Sequence, residues 1–400
     1  MIIETVIAIL LGVTSGCFTG ITPGIHINLI SAIVLSISPL LSGHISLTTI
    51  GVFIIAMSVT HTFLDSIPGI YLGAPDESHA LTVLPGHKML LSGKGNLAVG
   101  LTIIGSFFSL LLCTMLVPFL IKITEIVYPI IKDYIGYILL GVIAYLIYQG
   151  KNRLESTLIF LLSGTLGLIV LNLKNIENPL FPLLSGLFGF SVLLISLKDN
   201  NKIPKQGHSE NIDVENKDII HAVSRATVFG FIASFLPGFG SSQAAILASK
   251  TMKQASTESF MILVGGINTV NMTLSLGTLY LLEKARNGAV LAVSVIIGDF
   301  TMGHLLLYLS TGIIAGSIAV TLAMIISKFF ANMISKIDYR MLISGILVVI
   351  TIMTIILSGF TGFLILVTAT GLGIMAGLLN VGKNNCLGCL IIPVILFFLI

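Results

Sequence analysis

The chain has 400 residues, of which 55% are hydrophobic and only 9% charged; its mean hydropathy is +1.07 and its formal net charge +3. A soluble domain carries about 25% charged residues to wet its surface, so a water-soluble globular fold is excluded. The charges are scattered with no basic block, which excludes a nucleic-acid footprint and leaves lipid as the solvent.

Apolar runs of about 20 residues, each enough to cross a ~30 Å hydrocarbon core, recur along the chain. The first, 3–20, opens with Glu4 rather than a basic segment and leads into a glycine motif rather than a cleavage site, so it reads as a span and not a signal peptide. Further spans are predicted over 45–64, 95–121, 134–150, 154–172 and 179–197, then over 219–236, 257–282, 287–298, 303–329, 340–358, 360–379 and 386–400. Two runs, 24–41 and 238–250, directly follow Pro-Gly and are shorter or more polar than a span. They read as half-helices or re-entrant segments. The strongly polar stretch Lys198–Asp218 has no apolar periodicity and reads as a solvent loop. With Lys88, Lys94, Lys151 and Arg153 it falls on one side of the membrane, the cytoplasmic side by charge. The fold class is therefore an all-α polytopic protein, multi-pass in the cell membrane.

The sequence repeats itself across that loop. Gly16, Gly20, Pro23 and Gly24 match Gly230, Ser234, Pro237 and Gly238 in order and spacing. Lys132-Asp133-Tyr134 is echoed by Lys336-Ile-Asp338-Tyr339, and Leu171-Asn172 by Leu379-Asn380. The expected organisation is two homologous halves, 1–197 and 219–400, joined by the 198–218 linker and forming an inverted repeat. Small residues at every fourth position let helices approach closely. Proline then removes an N–H donor and glycine lets the backbone turn. In lipid a broken helix survives where its freed groups are paired or line a watery cavity, and two breaks in matching places mark the central site of a secondary transporter.

The segments after each Pro-Gly begin with free N–H groups and the positive end of a helix dipole, which attract carboxylates and phosphates. His26, Asn28, Ser241, Ser242 and Gln243 lie in those first turns, where each serves equally well as a capping residue. Within apolar segments, ionisable residues face cavities or partners. His61 and Asp65 share a helical face just before a further Pro68-Gly69 break, with Asp76, Glu77 and His79 beyond it. In the second half lie Asn268, Asn271, Glu283, Lys284 and Arg286, then Asp299 and His304 as a further polar pair. On a functional reading His61 and Asp65 form a proton relay or cation site, and Arg286 or Lys88 contacts an anion; the bland alternative has these groups solvated at the interface. The predicted substrate-binding set is Pro23, Gly24, His26, Asn28, Pro68, Gly69, Pro237, Gly238, Ser241, Ser242, Asn268 and Asn271, with His61 and Asp65 coupling Na⁺ or H⁺.

No H-E-x-x-H, G-x-S-x-G or Walker-type loop occurs, so the chain is not read as an enzyme. Cys17, Cys113, Cys386 and Cys389 read as small apolar packing residues, and no cofactor is expected beyond the coupling ion. Two alternatives stay open: a membrane-embedded lipid-phosphate carrier, and an intramembrane hydrolase using His61 and Asp65.

The G-x-x-x-G-x-x-P-G motif opening each half resembles the large membrane subunit of tripartite tricarboxylate transporters, the TctA-type permeases. So do Asp65-Ser-Ile-Pro68-Gly69-Ile-Tyr-Leu-Gly73-Ala-Pro, Leu84-Pro85-Gly86-His87-Lys88-Met89 and Gly93-Lys94-Gly95. The closing Gly377-Leu-Leu-Asn-Val-Gly382-Lys-Asn-Asn-Cys-Leu-Gly388 looks like the family's archaeal-type branch. The resemblance implies duplicated halves and symport of carboxylates driven by an ion gradient. It further implies a small membrane subunit and an extracytoplasmic binding protein as partners. Ser234 stands where the second motif prefers glycine.

Overall fold

The structure, a computed structural model, describes residues 2–22, 27–73, 83–148, 152–174, 176, 178–197, 204–207, 214–236, 240–252, 256–334 and 339–399. Among these residues every regular element is a helix, and eight helical stretches are long and apolar enough to cross a membrane. This is a multi-pass, all-α membrane protein.

The first half opens with α1 (Ile2–Ile21), α2 (Ile27–Leu41), α3 (Leu47–Leu64), α4 (Ser66–Leu72) and α5 (Val83–Leu91). It continues with α6 (Gly95–Ile131), α7 (Ile135–Tyr148) and α8 (Arg153–Leu171), then α9 (Leu180–Leu184) and α10 (Ser191–Ser196), joined by a π turn at Ser185–Phe190. After the linker come α11 (Asn216–Phe235), α12 (Ser241–Lys250), α13 (Thr257–Leu282), α14 (Gly288–Ile297), α15 (Met302–Ile334), α16 (Tyr339–Leu378) and α17 (Gly388–Leu399). The short helices α4 and α5 were not anticipated. A loop expected between spans 95–121 and 134–150 is replaced by helix, because α6 runs on to a 3₁₀ turn at Lys132–Tyr134. Lys122, Glu125, Lys132 and Asp133 there are exposed rather than buried against other helices.

The centre is formed by α3 and α13. Each starts on a serine that caps it: Ser46 Oγ accepts from Thr49 N at 3.1 Å and Ser256 Oγ from Ser259 N at 3.1 Å. Each is buried along nearly its whole length. α3 packs between α1 and α15, and α13 between α11 and α6. Small residues set these approaches. Gly12, Gly16 and Gly20 of α1 form a row against α3, and a Cβ on Gly12 would lie 2.6 Å from the Phe53 carbonyl oxygen. Between α6 and α13 the fit is closer still: a Cβ on Gly105 would collide with the Ile262 carbonyl, and one on Gly265 with the Thr102 carbonyl.

At the periphery α8 packs on α17, and the π turn packs on α16. Gly359, with φ 63° and ψ −165°, divides α16 into two helices, which meets the expectation of spans ending at 358 and starting at 360. Lys383 bridges the two closing segments: its Nζ donates to Leu187 O at 2.9 Å, Ser191 Oγ at 2.6 Å and Gly373 O at 2.7 Å. The linker is not wholly solvated. Gln206 is buried; its Oε1 accepts from Gly95 N at 2.8 Å, and its Nε2 donates to Leu90 O at 3.1 Å. Gly207 N donates to Gly93 O at 2.9 Å, so residues 204–207 clasp the α5–α6 corner.

Candidate functional site

Asp65 follows the last residue of α3 and is 3% exposed. Its Oδ2 accepts from Asn268 Nδ2 of α13 at 2.7 Å, so one short hydrogen bond joins the two central helices. His61, one turn earlier and also buried, places Nε2 3.9 Å from the same Oδ2. Its Nδ1 shares a hydrogen bond of 3.1 Å with Thr19 Oγ1 of α1. Thr62 and Thr269 share another of 3.1 Å between α3 and α13.

Asn271 lies three residues beyond Asn268, on the same face of α13. Its Nδ2 donates to Ser241 Oγ at 3.2 Å, the first residue of α12. One helical turn of α13 therefore carries two amides, one turned to the first half's carboxylate and one to the start of the second half's short helix. Ser242 and Gln243 are buried in that same first turn. A carboxylate this deep needs a compensating cation or proton, since an isolated buried charge is strongly disfavoured.

The expected break at Pro68-Gly69 is corrected. Both residues are buried inside α4, Asp65 itself has right-handed helical angles (φ −63°, ψ −19°), and the helix ends only at Gly73, with φ 65°. Proline is tolerated in the first turn of a helix, where its missing N–H is not needed. The Asp299–His304 pair is also corrected: Asp299 is exposed, and His304 Nδ1 bonds Thr301 Oγ1 at 3.1 Å at the start of α15. Pro23, Gly24, His26, Asp76, Glu77, His79, Pro237 and Gly238 lie outside the described residues. Asn28 is half-buried near the start of α2, and a Cβ on Gly288 of α14 would lie 2.9 Å from it. Lys88 is exposed on α5.

The turn between α13 and α14 gathers Lys284 and Arg286 against Tyr128 of α6. Lys284 Nζ donates to Tyr128 Oη at 3.4 Å, and Tyr128 packs edge-on against Phe235 with centroids 5.5 Å apart. Burial holds the Arg286 guanidinium below its ordinary pKa, with Tyr128 acting in the opposite sense. Among the described residues no group of three His, Cys, Asp or Glu side chains is placed to hold a metal ion.

The model of the tripartite tricarboxylate transporter TctA family matches residues 6–388. The chain belongs to this family. Like the family it is a component of a membrane transport system. The chain is also 30% identical over 400 residues to the uncharacterized protein MJ1079 of Methanocaldococcus jannaschii, covering 98% of each chain. No solved structure matches it. In this TctA-family protein the structure brings together Asp65, His61, Asn268 and Asn271, which the sequence had singled out, and adds Thr19, Tyr128 and Gln206, which it had not. The last two carry no local signal. Thr19 sits inside the quoted glycine motif, between Gly16 and Gly20, where a polar residue on a small-residue face was the available clue.

Proposed function

We propose that the chain is the permease of an ion-coupled uptake system for a small anionic solute, a di- or tricarboxylate, and that Asp65 with His61 carries the coupling Na⁺ or H⁺. The observation that carries this reading is the Asp65–Asn268 hydrogen bond, which puts a buried carboxylate at the junction of the two central helices. A cation or proton there cancels its charge and alters its bond to α13. Family membership supports the substrate class and, as partners, a small membrane subunit and an extracytoplasmic binding protein.

We further propose that residues 1–197 and 219–400 are related repeats of inverted topology. A long helix, a short helix and a buried serine-capped helix open each half, and each central helix packs across to the long helix α15 or α6 of the other half.

The test is uptake of labelled carboxylates into proteoliposomes under imposed Na⁺ or H⁺ gradients. Asp65→Asn keeps the hydrogen-bonding shape but removes the charge. It is expected to lower gradient-driven uptake by about 5- to 150-fold, the size of a 1–3 kcal/mol coupling. His61→Gln is expected to shift the pH dependence of uptake. Full gradient-driven uptake in Asp65→Asn would leave the residue a structural cap.

A further inference from the structure

The α13–α14 turn holds an arginine whose best recognition edge is buried and unpartnered among the described residues. Glu283 ends α13 with φ 54°, and Asn287 Oδ1 caps α14 by accepting from Val290 N at 2.8 Å. Arg286 is thus fixed between two capped helix ends. Its Nε and Nη2 are buried and have no hydrogen-bond partner among the described residues. These two N–H groups lie on one edge of the planar guanidinium, the edge that binds both oxygens of a carboxylate in parallel.

The surroundings suit an anion. Lys284 is exposed at the rim and donates to Tyr128 Oη, which leaves the phenolic hydrogen free to donate in turn. No ion pair to either cation is found among the described residues. The turn also lies beside the start of α2 and the end of α11: Gly288 abuts Asn28 of α2, and Phe235 beside Tyr128 is in the last turn of α11. A packing arginine would have its donors spent on carbonyls or acids, as buried polar groups almost always do. This one does not.

We propose that Arg286 binds one carboxylate of the solute through its Nε and Nη2 edge, with Tyr128 Oη as a further donor and Lys284 drawing the anion in. The proposal rests on the reading of the solute as a carboxylate anion. It adds a recognition site separate from Asp65, so that solute and coupling cation are held by different residues.

The test uses the purified full-length protein, with citrate and succinate as probes and thermal stabilisation plus proteoliposome uptake as readouts. Citrate or succinate is expected to stabilise the wild type. Arg286→Gln is expected to weaken that binding by tenfold or more while leaving the ligand-free melting temperature unchanged or raised, because an uncompensated buried charge is removed. A merely structural arginine would lower it. Arg286→Lys keeps the charge without the fork and is expected to bind at least several-fold more weakly, which carries the test if Arg286→Gln does not fold. Tyr128→Phe is expected to weaken binding to a lesser degree. Wild-type affinity in Arg286→Gln or Arg286→Lys overturns the assignment while leaving carboxylate transport standing. Stabilisation that is lost in Arg286→Gln, without uptake of any carboxylate by the wild type, supports the site and sinks the transport reading. If neither anion stabilises the wild type, the assignment falls.

Discussion

The two central helices and the outer ones follow opposite rules. In α3 and α13, 83% and 89% of the most apolar window is buried, against 33% in α1 and 39% in α15. Yet α13 is among the least apolar of the eight, rich in Asn, Ser and Thr, whereas α15 and α16 are more apolar. In water the most buried helix is the most hydrophobic. Here lipid makes apolar side chains indifferent between inside and outside, so the interior selects for small residues and for polar groups that find partners. In α13 burial goes with polarity rather than with hydrophobicity.

That contrast is easy to attack. The strongest blow is Gly105→Val or Gly265→Val, where a side chain meets the backbone of the facing helix. We expect a loss of more than about 3 kcal/mol and no monodisperse protein by size exclusion. Next is Asn268→Leu, which leaves the Asp65 carboxylate without its amide donor and is expected to cost about 1–3 kcal/mol, read as a lowered unfolding midpoint. The double variant Thr62→Val with Thr269→Val removes both partners of one interhelical bond while keeping shape. It should be close to neutral, within about 1 kcal/mol, whereas either single change should cost more. The mildest are Gly100→Ala and Gly277→Ala, on the same helices α6 and α13 but with nothing within 4 Å of the added carbon. Each should move stability by no more than about 0.5 kcal/mol. If they prove as damaging as Gly105→Val, the close-approach account is wrong.

The helices were legible because runs of apolar residues mean the same thing wherever they occur in lipid, and His61 with Asp65 stood out because charge in such a run is rare. Asn268 and Asn271 were legible because polar amides are rare in such a run. The Pro68-Gly69 break was misread because proline signals a kink only when the N–H it lacks would have been used. Thr19, Tyr128 and Gln206 were out of reach for another reason: their partners lie 42, 156 and 111 residues away, and nothing local encodes such a meeting.

Gln206 has a consequence for how the chain is threaded. Because the linker is clasped to Gly93 and Gly95, the start of α6 and the approach to α11 share one face of the membrane. The chain from Gly95 to Gln206 must therefore cross an even number of times. The parity of the first half is then decided before Gly95, by α1 to α5 alone.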